Sequence, residues 1–102
     1  MSPTDKMLGG TLAVEVEIRA EKASAMRRVA QRVESLLAEL KTVEDSLQGT
    51  AGAERARWVA RHQELRAEAD KQRWYLVVQR EAMGLYHHAD IYELYPLPER
   101  VE

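Results

Sequence analysis

Apolar residues recur with two different periods in the first half of the chain. Over residues 11–19 they alternate with other residues, which favours a half-buried strand, although the first turns of a long helix are the alternative. From Lys22 they step by three and four residues, which is typical of a heptad seam and predicts a helix over 21–48. The apolar positions are Leu12, Val14, Val16 and Ile18, then Met26, Val29, Val33, Leu36, Leu40, Val43 and Leu47.

Glycines mark the breaks between the predicted elements. The pair Gly9–Gly10 interrupts a helix, so residues 1–10 are expected to form a flexible lead. A second break falls at 49–52, where Gly49 suits the left-handed conformation that follows a helix. Thr50 is expected to cap the next helix, because its hydroxyl oxygen can accept a hydrogen bond from an unpaired backbone N–H in the first turn of that helix.

The same spacing resumes after this break and predicts a second helix over 53–84. A turn this short makes the two helices antiparallel, so we expect a long, coiled-coil-like helical hairpin. When the two seams face each other, Glu39 lies beside Arg61 and Arg32 lies beside Glu68. The same register therefore forms two pairs of opposite charge. The second seam is Trp58, His62, Leu65, Ala69, Gln72, Leu76, Gln79 and Met83.

The apolar residues collect at the end of the hairpin away from the turn. The run Trp74–Val78 is apolar on every face, which one neighbouring helix cannot cover. The tail over 85–102 combines tyrosines with prolines, which is typical of docking segments but equally of a tail that folds back on its own chain. This predicted apolar head comprises Leu12, Val14, Val16, Ile18, Trp74, Tyr75, Val77, Val78, Tyr86, Ile91, Tyr92, Leu94, Tyr95 and Leu97.

A two-helix hairpin encloses little interior for a chain of 102 residues. We therefore expect a homodimer in which two hairpins pair into a four-helix bundle, with Ala30, Leu37 and Val59 in the seam between them. The predicted partner-binding residues are Trp74, Tyr75, Val78, Tyr86, Tyr92, Leu94, Tyr95 and Leu97. Another protein is the second expected partner, at the head or the tail.

Composition narrows the function classes. The net charge is −2, so the chain lacks the basic excess of nucleic-acid binders, and no apolar run has the length of a membrane span. The length of 102 residues favours a single domain. The absence of cysteine excludes disulfides and thiol catalysis and fits a cytoplasmic protein, and the N-terminus lacks a signal-peptide pattern. A basic patch at Arg27, Arg28 and Arg32 is better explained as a solvated helix face than as a nucleic-acid site.

Histidines are the remaining candidates for chemistry. His87 and His88 with Asp90 invite a metal site, but adjacent side chains diverge by about 100° in a helix, so a polar turn is the better interpretation. His62 lies on the seam and is expected to be a core histidine bonded to a polar neighbour rather than a pH sensor.

No catalytic pattern is visible, so we expect no catalytic residues, metal or cofactor. The sequence favours a non-enzymatic interaction or assembly protein, an adaptor that works through self-association and its apolar head. Two alternatives stay open. One is a small all-α enzyme or ligand-binding bundle with a pocket lined by Arg28, Arg32, Arg73 and Arg80, and the other is an auxiliary nucleic-acid-binding factor.

Overall fold

Two long antiparallel helices and a short third one make up the molecule. The computed structural model describes the backbone from residue 3 to 102 and the side chains from residue 12. The first two helices pack against each other along a rod of 76 × 21 × 14 Å, so the predicted helical hairpin is confirmed. The elements are α1 (Pro3–Leu47), α2 (Gly52–Ala82) and α3 (Ala89–Leu94).

The predicted strand over 11–19 is wrong, because this segment belongs to α1. The helix begins at Pro3 and includes Gly9 and Gly10, where the sequence predicted an interruption and a flexible lead; residues 1–2 lie outside the described residues. The physical reason is hydrogen bonding. A helix satisfies its backbone groups within the segment, whereas a strand needs a neighbouring strand, and the described part of the chain holds none.

The turn between α1 and α2 is built by a glycine and a threonine. Gly49 has φ +76°, the left-handed conformation predicted for it. Thr50 donates its hydroxyl to the carbonyl oxygen of Leu47 at 2.7 Å. Thr50 therefore closes the end of α1, and the prediction that it caps α2 is wrong, since α2 follows Ala51 without a side-chain cap.

The predicted seams form the core. Side chains of both helices at the three-and-four spacing are buried or half-buried, and His62 is fully buried among them. The fully buried apolar residues of α1 lie in its second half. The buried core residues are Val33, Leu36, Leu40, Val43 and Leu47 of α1, Leu65, Ala69 and Leu76 of α2, and Ile91 of α3.

One of the two predicted charge pairs sets the register. The Nη2 atom of Arg61 lies 3.4 Å from a carboxylate oxygen of Glu39, as the facing seams require. Among the described side chains, Arg32 and Glu68 form no ion pair; Glu68 instead accepts a hydrogen bond from Gln72 at 3.0 Å. Both Arg61 and Glu39 are half exposed, so this pair stabilises the hairpin by less than about 1 kcal/mol.

The two long helices differ in length, which leaves α1 projecting past α2. At the open end, Lys22 donates its ammonium group to the carbonyl oxygen of Ala82, the last residue of α2, at 3.3 Å. Residues 3–18, which we call the overhang, lie beyond this contact and span about 24 Å at 1.5 Å per residue. The described side chains of the overhang are all exposed.

The tail leaves the open end instead of covering it. Gly84 has φ +83°, and Leu85 donates its backbone N–H to the carbonyl oxygen of Arg80 at 3.0 Å, which reverses the chain direction. From there α3 and the extended residues 95–102 run back along the hairpin toward the first turn. The predicted head is therefore not gathered within one chain, because its N-terminal and C-terminal parts point in opposite directions.

Candidate interaction surfaces

Arginines of α2 hold the returning tail. Arg66, Arg73 and Arg80 are seven residues apart, which places them on one face of the helix. The Nη1 atom of Arg80 lies 2.8 Å from both carboxylate oxygens of Asp90. Arg73 donates to the carbonyl oxygen of Tyr95 at 3.2 Å. The hydrogen bond and charge of the Arg80 guanidinium also lower the pKa of Asp90 below its ordinary value.

The same arrangement continues to the C-terminal residue. Arg66 donates to the carbonyl oxygen of Pro98 at 2.9 Å, and Arg55 donates to that of Glu102 at 2.6 Å. These contacts are made to main-chain oxygens, so they hold an extended chain irrespective of its side chains. The guanidinium of Arg73 also lies 4.9 Å from the centre of a tyrosine ring in the tail, at cation–π distance.

The tail is bonded to α1 as well as to α2. Tyr95 donates its hydroxyl to a carboxylate oxygen of Glu34 at 2.9 Å. Burial, and then this contact with Glu34, raise the pKa of the Tyr95 phenol. Leu97 packs against the core cluster that includes Leu36 and Leu65. The tail therefore binds its own hairpin in the groove between the two long helices.

This docking places several predicted contact residues inside the chain. Tyr95 and Leu97 are half-buried against the hairpin. Ala30 and Leu37, predicted for the seam between two hairpins, lie on the side of α1 that faces the tail, and Leu37 joins the core cluster. Val59 is half-buried on α2.

Most of the predicted partner-binding residues are instead exposed. Trp74, Tyr75 and Val78 lie on the side of α2 that faces away from α1, and the exposed fraction of Trp74 is 59%. The centroids of the Trp74 and Tyr75 rings are 5.5 Å apart. We call these three residues the outer patch. The other exposed members are Tyr86, Tyr92 and Leu94.

The overhang carries a second exposed apolar surface. Leu12, Val14, Val16 and Ile18 have exposed fractions between 46% and 64%. In a helix, their alternation places Leu12 and Val16 on one side and Val14 and Ile18 on another. Because exposed apolar patches on a protein surface often coincide with interaction sites, the overhang is a candidate interaction surface.

The buried His62 is held by a carboxylate. Its side chain is 0% exposed, and Nε2 lies 3.1 Å from an oxygen of Glu44. The prediction of a core histidine bonded to a polar neighbour is confirmed. The Nδ1 atom is buried and has no hydrogen-bond partner among the described atoms.

His88 and Asp90, two of the three residues that suggested a metal site, are bonded to different partners. His88 bonds to Glu81 through Nε2 at 3.2 Å, and the carboxylate of Asp90 is held by Arg80. His87 is exposed. Over the residues that the structure describes, no three potential metal-ligating side chains converge.

Binding of the tail by arginines of α2 was not predicted from the sequence. A signal was present in the sequence, since Arg66, Arg73 and Arg80 repeat every seven residues. The sequence did not show where the tail binds, because arginines bond to its backbone carbonyl oxygens and every tail residue has one.

Comparison with protein-family models, with curated proteins and with solved structures finds no match for this chain. Neither long helix, over its described residues, has a stretch apolar enough to cross a bilayer.

Proposed function

We propose that this protein is a non-enzymatic assembly protein that forms a homodimer through its open end. The observation that carries the proposal is the exposed apolar overhang, which extends past α2 and has no neighbour among the described residues. A second copy of the chain brings both a matching helix and a matching apolar patch.

The spacing of the two exposed surfaces supports this arrangement. On α2, Trp74 and Val78 are four residues apart and precede the end of the helix at Ala82. On the overhang, Leu12 and Val16 are also four residues apart. They precede Lys22, which lies beside the end of α2, by about as many residues as Trp74 and Val78 precede Ala82. Two copies running in opposite directions therefore bring these pairs to the same level within about one helical turn.

Such a dimer is symmetric, since each overhang covers the outer patch of the other copy. At each level the dimer then holds α1 and α2 of one copy and the overhang of the other, so it differs from the four-helix bundle expected from the sequence, and Ala30 and Leu37 take no part in it. Each Leu12–Val16 pair then packs on Trp74 and Val78, and both surfaces lose their contact with water.

A charge-pair experiment tests the proposal. We expect the wild-type chain to sediment as a dimer at micromolar concentration. Val16→Glu and Val78→Lys should each weaken dimerisation by about tenfold or more, because each buries an unpaired charge. The double variant should recover most of the affinity, since the two charges meet across the interface. Sedimentation equilibrium measures all three.

Ala38→Glu is the matched control, because Ala38 is an exposed residue of α1 within the hairpin, far from the open end. It adds the same charge and should leave the dimer intact. A wild-type monomer at these concentrations would refute the proposal, and failure of the double variant to recover would refute the proposed packing of the overhang on the outer patch.

Two of the four arginines proposed to line an active site are already bonded to the tail. Arg73 and Arg80 are occupied by the tail through Tyr95 and Asp90. No observation favours catalysis, so we do not propose it.

A further inference from the structure

A mainly apolar cavity of about 280 Å³ opens between α1, α2 and α3 near the open end. The returning tail creates it, because α3 stands against the two long helices with Ile91 buried at its base. The apolar walls come from Met26, Ala30, Leu76, Leu85, Ile91 and Leu94.

Three charged residues line the same cavity, and their charges do not cancel. Arg80 and Asp90 neutralise each other through contacts at 2.8 Å. Arg27 is exposed, and its one hydrogen bond among the described residues is donated to the neutral hydroxyl of Ser24 at 3.1 Å. The cavity therefore combines an apolar interior with one uncompensated positive charge.

We propose that this cavity binds a free medium-chain carboxylic acid, with its hydrocarbon chain among Met26, Ala30 and Leu76 and its carboxylate on Arg27. An apolar interior with one polar contact that fixes orientation is the usual form of a small-molecule site. The volume lies near the lower limit for such sites, so the chain is short, as in octanoate. A single arginine beside the acidic Asp90 suits a monovalent anion better than a phosphate.

Methionine methyl signals localise the binding. Met26 lines the cavity, whereas Met83 lies outside it near the end of α2, so one residue reports and the other is an internal control. With methyl-labelled methionine, octanoate should shift the Met26 signal in a saturable way and leave the Met83 signal in place. Octanol, which has the same chain and no charge, should bind about fivefold more weakly, because an ionic hydrogen bond at a partly solvated site contributes modestly.

Two substitutions test the two halves of the site. Arg27→Gln should weaken octanoate binding by about fivefold and leave octanol binding unchanged. Arg28→Gln is the matched control, since Arg28 is the adjacent exposed arginine and does not line this cavity. Ala30→Leu should abolish binding of both compounds by filling the cavity.

Circular dichroism checks that each variant retains its helices. Because Arg27 is exposed, its replacement should not disturb the fold, and this keeps the test decisive even if Ala30→Leu destabilises the chain. The proposal is overturned if octanoate and octanol bind equally well, if Arg28→Gln weakens octanoate binding as much as Arg27→Gln, or if the Met26 signal does not respond.

Discussion

Replacing Arg73 with methionine removes the central contact that holds the tail while keeping most of the apolar stem. Arg73 donates to the carbonyl oxygen of Tyr95 at 3.2 Å and lies 4.9 Å from the ring centre of Tyr92. It also pairs with Asp70 at 2.9 Å. Its side chain is only 13% exposed, so these contacts are partly shielded from water.

The expected cost follows from these contacts. The hydrogen bond from a charged donor contributes about 1.5 kcal/mol. The contact with the Tyr92 ring adds about 0.5–1 kcal/mol. The pair with Asp70 does not enter the sum, because Asp70 lies three residues away on the same helix and can pair with Arg73 whether or not the tail is docked.

One feature of Arg73 offsets part of this sum. Its Nε atom is buried and has no hydrogen-bond partner among the described atoms, and the substitution removes that unsatisfied donor, which returns about 1 kcal/mol. We therefore expect Arg73→Met to weaken tail docking by about 1.3 kcal/mol, or about tenfold in the docking equilibrium.

Amide hydrogen exchange measures this equilibrium locally. Tyr95 donates its backbone N–H to the carbonyl oxygen of Ile91 at 2.9 Å, and this bond belongs to the docked tail. In Arg73→Met the Tyr95 amide should exchange about tenfold faster, while amides in the middle of α1 keep their rates because the hairpin stays closed.

Arg57→Met is the matched control, since Arg57 is an exposed arginine of α2 for which no bond to the tail is seen among the described residues. It should leave the exchange of the Tyr95 amide unchanged. If both variants accelerate that amide equally, or neither does, the arginine contacts do not hold the tail.

Two further predictions concern the tail. Leu97→Ala should lower the free energy of unfolding, measured in urea, by about 1–2 kcal/mol, because Leu97 is half-buried on the core cluster. The control Leu94→Ala, at a residue that is 68% exposed, should lower it by less than about 0.5 kcal/mol. Equal losses of stability would contradict the docking of Leu97. The pKa of Tyr95 is raised above its ordinary value of 10.0, so its contribution to stability is present below that pH and is lost as the pH rises through the raised pKa. Stability in urea should therefore fall more steeply above pH 10 for the wild-type chain than for Tyr95→Phe, and parallel curves would contradict the Glu34 contact.

The sequence by itself was sufficient for the hairpin. The three-and-four spacing from Val33 to Leu47 and the break at Gly49 are local signals, and each follows from the geometry of a helix or of a left-handed turn residue. The burial of His62 and the pair between Glu39 and Arg61 also followed, because facing two such seams leaves few registers.

Local patterns were ambiguous where the same residues suit two conformations. The alternation from Leu12 to Ile18 fits a strand, but the same residues also suit a helix. The described residues include no strand with which this segment could pair, so it continues α1. Thr50 could bond to either flanking helix, and in the structure it bonds to the end of α1.

The path of the tail was decided only by the tertiary structure. Tyr95, Leu97 and Pro98 predicted a docking segment without saying what it docks to. The answer depends on arginines of α2 that bond to carbonyl oxygens, and such contacts carry no residue preference in the tail. Because the tail turns back at Gly84 while α1 continues outward, the overhang and the outer patch stay exposed, which no local pattern specifies.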